Sequence, residues 1–224
     1  MARTTRRVPQ PGAYSAVVFD LDGTLTREAN SWAVLQRRLG PDLHQRARDR
    51  WHRYAAGGMS REDFLVDQVA DMEGLDGKLL DDVAAAVEYH DGVAETCAAL
   101  RRAGIRLAIV SAGISALAER VAGDLDIELH YANTVHRQDG RFTGRVDVTV
   151  PPGGKEPAFR AAVAELGVDA GTVVAVGDSS GDVDMFRLAG LGVAFAPVSA
   201  EARLAADVVL ERPDMRDLLP VVLP

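Results

Sequence analysis

The sequence predicts a doubly wound α/β fold: a Rossmann-like parallel sheet, interrupted once by an inserted helical cap domain. Three observations predict it. Short β-branched apolar runs (VVF before Asp20, IRLAIV before Ser111 and TVVAV before Gly177) read as buried parallel strands, because they lack the alternation of half-exposed ones. Segments of helical period separate those runs, which is the pattern of βαβ units. Acidic residues follow two of the runs, Asp20 and Asp22 in the first, Asp178 and Asp182 in the second. They would emerge together at the carboxyl ends of the strands, where open α/β sheets bind ligands.

The elements follow in order. Residues 1–14, with arginines followed by Pro and Gly, are expected to form a flexible, solvated tail. Residues 15–24 hold the first strand and its turn. Residues 25–90 are expected to form the cap, from the helical patterns SWAVLQRRL, HQRARDRWHRYAAG, SREDFLVDQVADM and LLDDVAAAVEY. Ser60 followed by Asp63 reads as a helix start, and Gly57, Gly58 and Gly74 punctuate the segments. Residues 91–224 complete the sheet domain. There the pattern gives a helix over Val93–Arg102, the strand IRLAIV and a helix over 114–121. Short strands are expected at LHYAN and RFTGRVDV, with a small hairpin at Asp139 and Gly140. A helix over Glu156–Leu166, the strand TVVAV, and strands at GVAFA and ADVVL end the series.

Composition narrows the function classes. With 224 residues and 47% hydrophobic content, the chain can bury one sizeable core plus a smaller inserted unit. A formal net charge of −8 argues against a general nucleic-acid binder, whose footprint is a basic face. Cys97 is the only cysteine, so neither an internal disulfide nor a multi-cysteine zinc site can form, which suits a cytoplasmic protein. No apolar stretch reaches membrane-spanning length, and the opening arginines precede no hydrophobic segment, so neither a membrane partner nor a secretory leader is expected.

The first acidic run has the arrangement of a nucleophile with a partner acid. Asp20 and Asp22 stand two apart where a strand loosens, so both carboxylates can face one substrate. Gly23 lets a backbone N–H approach an anion, and Thr24 offers a hydroxyl. Alone, Asp-Leu-Asp-Gly equally fits a strand-ending turn. Crowded carboxylates repel one another and call for a cation, for which oxygen-seeking magnesium is the natural occupant. Ser111 precedes a helix and reads either as a helix cap or, with Ala112 and Gly113, as a phosphate cradle. Lys155, one of two lysines, follows Pro-Pro-Gly-Gly and reads either as an exposed helix-opening lysine or as a charge aimed at a phosphoryl group. Asp184 reads as an acid of a helix's first turn.

DLDGT, Ser111 in LAIVSAG, Lys155 in PPGGKEP and GDSSGD occur in that order after apolar strands. In this the chain resembles the haloacid dehalogenase superfamily, with spacing most like its phosphoserine phosphatase branch. The resemblance implies a magnesium-dependent phosphatase. Asp20 would form an aspartyl phosphate and Asp22 would serve as general acid and base. Asp20, the carbonyl of Asp22 and Asp178 would hold magnesium, and Asp182 would either ligate it or orient Lys155. Gly181 departs from the asparagine common in related sequences. A phosphotransferase or mutase using the same aspartyl phosphate is an alternative. A receiver-like phosphoacceptor module, which is not catalytic, is another.

The cap departs from the branch. Phosphoserine phosphatases place a glutamate after the first motif to meet the substrate amine and an arginine in a cap helix to meet its carboxylate. Here those positions hold Ala29, with Glu28 adjacent, and Gln68, while Arg61 stands where an aromatic residue is usual. The expected substrate is a small phosphorylated metabolite, and these departures argue against phosphoserine without identifying another. Glu28, Arg61 and Gln68 are the candidate selectivity residues, with Arg27, Trp32, Trp51, Arg53 and Tyr54 as further candidates, although aromatics at helical spacing also read as core. The sequence leaves the oligomeric state open.

Overall fold

The computed structural model describes residues 7–224, so residues 1–6 of the expected tail lie outside the described residues. The strands are β1 (Ala16–Phe19), β2 (Arg106–Ile114), β3 (Leu129–Gln138), β4 (Arg141–Asp147), β5 (Val173–Gly177), β6 (Leu191–Phe195) and β7 (Val208–Leu210). They form one sheet in the order β4-β3-β2-β1-β5-β6-β7. β1 lies between β2 and β5 and is parallel to both, with Val17 opposite Leu107 on one side and Val174 on the other. β4 runs antiparallel to β3 as a hairpin. Asp139 and Gly140 at its tip both have positive φ (51° and 75°), as a tight two-residue hairpin turn requires.

Strand alternation sorts the core into two layers. Val17, Phe19, Leu107, Ile109, Val174 and Val176 belong to one cluster, while Ala16, Val18, Ala108, Val110, Val173 and Ala175 belong to the other. The first layer is closed by α5 (Val93–Arg102) and α6 (Ser115–Leu125), through Cys97, Leu100, Ala118 and Val121. The second is closed by α7 (Glu156–Leu166), α8 (Val183–Leu188) and α9 (Ala200–Ala205), through Phe159, Met185, Phe186 and Ala202. Each fully buried aliphatic side chain contributes about 1.5–3 kcal/mol. The strand ends that carry the acids therefore extend directly from fully buried strands.

Four helices lie between β1 and α5: α1 (Ser31–Leu39), α2 (Pro41–Ala55), α3 (Arg61–Ala70) and α4 (Lys78–Ala85). Their starts are specified locally. The side chain of Asn30 caps α1 by accepting the Ala33 N–H, Pro41 opens α2, and Ser60 caps α3 by accepting the Asp63 N–H. The apolar faces, including Leu35, Leu65, Val69, Met72, Leu80 and Val83, continue the first core layer. The β3–β4 hairpin is bonded to this helical unit: Gly74 N–H donates to Phe142 O, Phe142 N–H to Leu75 O, and Gly77 N–H to Gly140 O.

Two regions differ from the sequence reading. β2 runs on to Ile114, so Ser111, Ala112 and Gly113 belong to the strand end, and α6 starts only at Ser115 without a side-chain cap. Asn133 on β3 holds this extension, as described below. In the expected tail, Gly12 N–H donates to Val222 O, and Tyr14 is buried in the first core layer with its hydroxyl accepting the Gln10 N–H. α10 (Leu219–Val222) thus lies against the start of the described chain.

Candidate active site

The carboxyl ends of β1, β2 and β5, with the start of α7, converge on one cavity of about 750 Å3. Asp20, Asp22, Ser111, Ala112, Gly113, Lys155 and Asp178 line its floor. Lys155 is 3% exposed, and its Nζ lies 2.6 Å from Asp20 Oδ1 and 2.7 Å from Asp182 Oδ1. Asp20 Oδ1 also accepts the Leu21 N–H, so both hydrogen bonds to Asp20 fall on one oxygen. Asp182 uses both of its oxygens. Oδ1 takes Lys155, and Oδ2 accepts from Asp178 N–H, Ser179 N–H and the Ser179 hydroxyl. Oxygens of Asp20, Asp178 and Asp182 lie within 4.8 Å of one another.

Asp22 is held apart from that trio. Its Oδ2 accepts from the backbone N–H of Ser31 at 2.9 Å and from the Ser31 hydroxyl at 2.7 Å, while its Oδ1 is buried without a partner among the described residues. Burial raises its pKa above the ordinary carboxylate value, and the two Ser31 bonds and Lys155 offset part of the shift. Asp178 is pushed up to about 7 by burial and then by Asp182, with Lys155 and the Thr24 hydroxyl pulling it down. Burial and Asp182 drive Asp20 upward as well, against Lys155. Burial opposes the charge of Lys155, but Asp182 and Asp20 outweigh it and hold the ammonium protonated. Four buried or nearly buried acids thus share one buried lysine.

The turn after β1 is fitted to this cluster. Gly23 has φ +77°, and a Cβ there would stand 2.7 Å from Asp178 Oδ2. Gly113 is hemmed in as well, since a Cβ would meet the oxygens of Ser31, Asp22 and Ser111 at 2.8 to 3.0 Å. Ser111 Oγ accepts the Gly113 N–H at 3.0 Å, which makes it part of a strand-end loop; the helix-cap reading of Ser111 is corrected, because the helix begins four residues later. Asn133 fixes that loop. Its Nδ2 bonds the carbonyls of Ala112, Gly113 and Val150, and its Oδ1 accepts from Thr149 and Val150 N–H.

The roof of the cavity comes from three of the inserted helices, α1, α2 and α3. Of the expected selectivity residues, Gln68 lines it and is 4% exposed. Glu28 and Arg61 are off its wall. Glu28 is exposed beside Arg37, and Arg61 is exposed with its guanidinium donating to the Gly153 carbonyl, because the start of α3 faces the 151–154 turn. Ala29, Trp32, Trp51 and Tyr54 do line the cavity, whereas Arg27 pairs with Asp91 and Arg53 is not on the wall. The sequence reading missed Ser31, Gln36, His44 and Asn133. For Gln36 a signal existed, a polar residue beside Leu35 on the otherwise apolar face of α1.

A family model described as haloacid dehalogenase-like hydrolase matches residues 17–187. The chain is 34% identical over 204 residues to the phosphoserine phosphatase SerB2 of Mycobacterium tuberculosis, covering 91% of this chain and 49% of that protein. It is 37% identical over 149 residues to a phosphoserine phosphatase of Streptomyces coelicolor, covering 65% of this chain and 36% of that protein. The chain therefore spans half or less of the length of these two relatives. In fold it is similar to a structure titled as a phospho-aspartyl intermediate analogue of phosphoserine phosphatase, with TM-score 0.80 and 23% identity over 93% of this chain and 99% of that one.

Proposed function

The chain belongs to the haloacid dehalogenase-like hydrolases, and from that membership and the site geometry we propose that it is a magnesium-dependent phosphatase, hydrolysing a small-metabolite phosphomonoester through an aspartyl phosphate on Asp20. The observation that carries this reading is the unlike treatment of two acids two residues apart. Lys155 and the Leu21 N–H fix one oxygen of Asp20, which leaves the other for attack. Ser31 holds one oxygen of Asp22, and burial favours its protonated form.

In the first step an Asp20 oxygen bonds to phosphorus, the ester P–O bond breaks, and the departing oxygen takes the proton of Asp22. In the second, water attacks phosphorus while Asp22 takes its proton, and the bond to Asp20 breaks to release inorganic phosphate. Lys155 balances the nucleophile's charge and that of the phosphoryl oxygens, and the Ser111 hydroxyl with the neighbouring amides receives those oxygens.

The excess of buried carboxylates over cationic side chains fits a bound divalent ion. Asp20, Asp178 and the carbonyl of Asp22 would hold magnesium, and Asp182 acts through Lys155, since both of its oxygens already accept hydrogen bonds from protein donors. When bound, magnesium supplies positive charge that offsets the carboxylates and polarises the phosphoryl group. A receiver-like module has no need of Asp22 as acid and base, so its dedicated Ser31 support favours turnover.

Selection differs from that of a phosphoserine enzyme. Ala29 and Gln68 support this: they line the cavity and stand where the resemblance expects a glutamate and an arginine to meet the amine and carboxylate of phosphoserine, and an uncompensated buried charge costs on the order of 2–5 kcal/mol. The test is phosphate release from p-nitrophenyl phosphate with magnesium, together with trapping of an acyl phosphate or its fluoride mimic on Asp20. Free phosphate is expected to accumulate. Stoichiometric transfer to an added alcohol would replace hydrolysis with phosphotransfer, and the absence of any Asp20 adduct would sink the mechanism.

A further inference from the structure

The roof of the cavity carries polar atoms that the protein itself does not use. Gln36 on α1 and Gln68 on α3 are 5% and 4% exposed, and the side-chain Nε2 of each lacks a hydrogen-bond partner among the described residues. Nδ1 of His44 on α2 is in the same condition. All three residues line the cavity, each from a different helix. An amide buried in this way is destabilising, whichever way its oxygen and nitrogen are turned, unless something completes it. The same chain shows a structural amide for comparison: Asn133 is fully buried, and both ends of its side chain are hydrogen-bonded to backbone. At Nε2, Gln36 and Gln68 hold no other protein group together among the described residues, which leaves these cavity-lining amides available to a ligand.

The surroundings define that ligand. Trp51, Tyr54 and Phe64 form a mutually packed aromatic wall, with ring centroids 5.1 to 5.8 Å apart. The acids lining the cavity are Asp20, Asp22 and Asp178, all at the reacting end, so an ammonium on the leaving group would meet no counter-charge in the roof. Besides Lys155, the cationic side chain on the wall is Arg48, which is exposed, so a buried carboxylate is equally ill served. Amides and neutral imidazoles each offer a donor and an acceptor, as hydroxyl groups do, and the C–H faces of a polyol lie well against aromatic rings.

We propose that the cavity takes phosphate monoesters of neutral, polyhydroxylated alcohols, namely sugar or sugar-alcohol phosphates, whose hydroxyls complete Gln36, Gln68 and His44. The proposal rests on the phosphatase reading for its chemistry and on the roof for its substrate class.

The test presents the full chain, with magnesium, with p-nitrophenyl phosphate, a hexose phosphate, a hexitol phosphate, O-phosphoserine and phosphoethanolamine. The better of the two polyol esters is expected to exceed both amino esters by about tenfold or more in kcat/KM. Gln36→Leu and Gln68→Leu are expected to lower the ratio of polyol ester to p-nitrophenyl phosphate in kcat/KM by about tenfold. The same substitutions, repeated as Gln→Met to allow for side-chain shape, are expected to raise the melting temperature of the ligand-free protein, because an unpartnered buried amide has been removed. Preference for an amino ester, an unchanged ratio, or a lowered melting temperature in all four variants would overturn the proposal. If no ester at all is hydrolysed and Asp20 carries no adduct, the phosphatase reading fails separately. Calorimetry with the hexitol phosphate then decides the roof, since absence of binding refutes it and binding lost in Gln68→Leu upholds it.

Discussion

The floor and the roof of one cavity are built on opposite principles. On the floor each charged group already has protein partners: Lys155 bridges Asp20 and Asp182, Thr24 meets Asp178, and Ser31 meets Asp22. In the roof, which also carries Trp51, Tyr54 and Phe64, the amides of Gln36 and Gln68 have no partner at Nε2 among the described residues. Chemistry common to many substrates requires groups held before the substrate arrives. Selection among substrates works by leaving a deficit that only the right one fills.

The largest expected effect tests the floor. Asp20→Asn should keep the fold, read by circular dichroism and melting temperature, and lower kcat by more than about 10³-fold, because covalent attack is lost. Turnover equal to that of the parent would mean that the floor is not where reaction occurs.

Next comes the ion. Chelation should abolish activity and magnesium restore it, with Asp178→Ala weakening the magnesium response far more than Asp184→Ala, whose carboxylate lies in the first turn of α8 beside Arg187. The metal-free protein supplies a second readout. The folded pKa of Asp178, at about 7, lies above its ordinary 3.8, so the folded state binds the extra proton in that window and this contribution to stability is lost as pH rises through it. Melting temperature without metal should fall between those pH values, and Asp178→Asn should flatten the fall. A flat profile in the parent would show that the acids are compensated without an ion.

A smaller effect is expected at the turn. Gly23→Ala puts a Cβ 2.7 Å from Asp178 Oδ2 at φ +77°, which should cost about 1–3 kcal/mol of stability in denaturant unfolding. The smallest sharpens the contrast from the roof side. Glu28→Ala and Arg61→Ala act on exposed groups off the cavity wall, so relative rates among phosphate esters should change by less than about threefold and stability by about 0.5 kcal/mol or less. A large shift in selectivity from either variant would redraw the roof.

The floor was legible in the sequence because its residues are fixed by short runs. DLDGT and GDSSGD each follow a strand whose apolar run announces it, the lysine is marked by the PPGG turn before it, and the sheet brings strands distant in sequence to one edge. Helix bounds were also readable where pattern and punctuation agree, as for α5 and α7. The end of β2 was not, because Ser-Ala-Gly looks like the close of a strand, while its continuation depends on Asn133 from the neighbouring strand. The roof was least legible. Glu28 and Arg61 were chosen by linear register, but Glu28 lies in the segment before α1 and Arg61 at the first residue of α3, and the packing of α1, α2 and α3 turned Gln36 and His44 toward the cavity instead. Ser31 escaped notice for a related reason: a serine opening a helix reads as a local cap, whereas this one serves a carboxylate nine residues earlier.

The Ser31 contact bears on how the molecule can be recombined. A graft that exchanges residues 25–90 for another helical unit would remove the Ser31 hydroxyl that donates to Asp22 and, with Trp32, the indole N–H that bonds the Ala112 carbonyl. On the proposed mechanism such a chimera would keep Asp20 for attack but weaken the support of Asp22 as proton donor, so it should turn over esters with good leaving groups while failing on alkyl ones. The transplantable unit therefore starts after Trp32, and a library of new roofs should retain residues 15–32 from this parent.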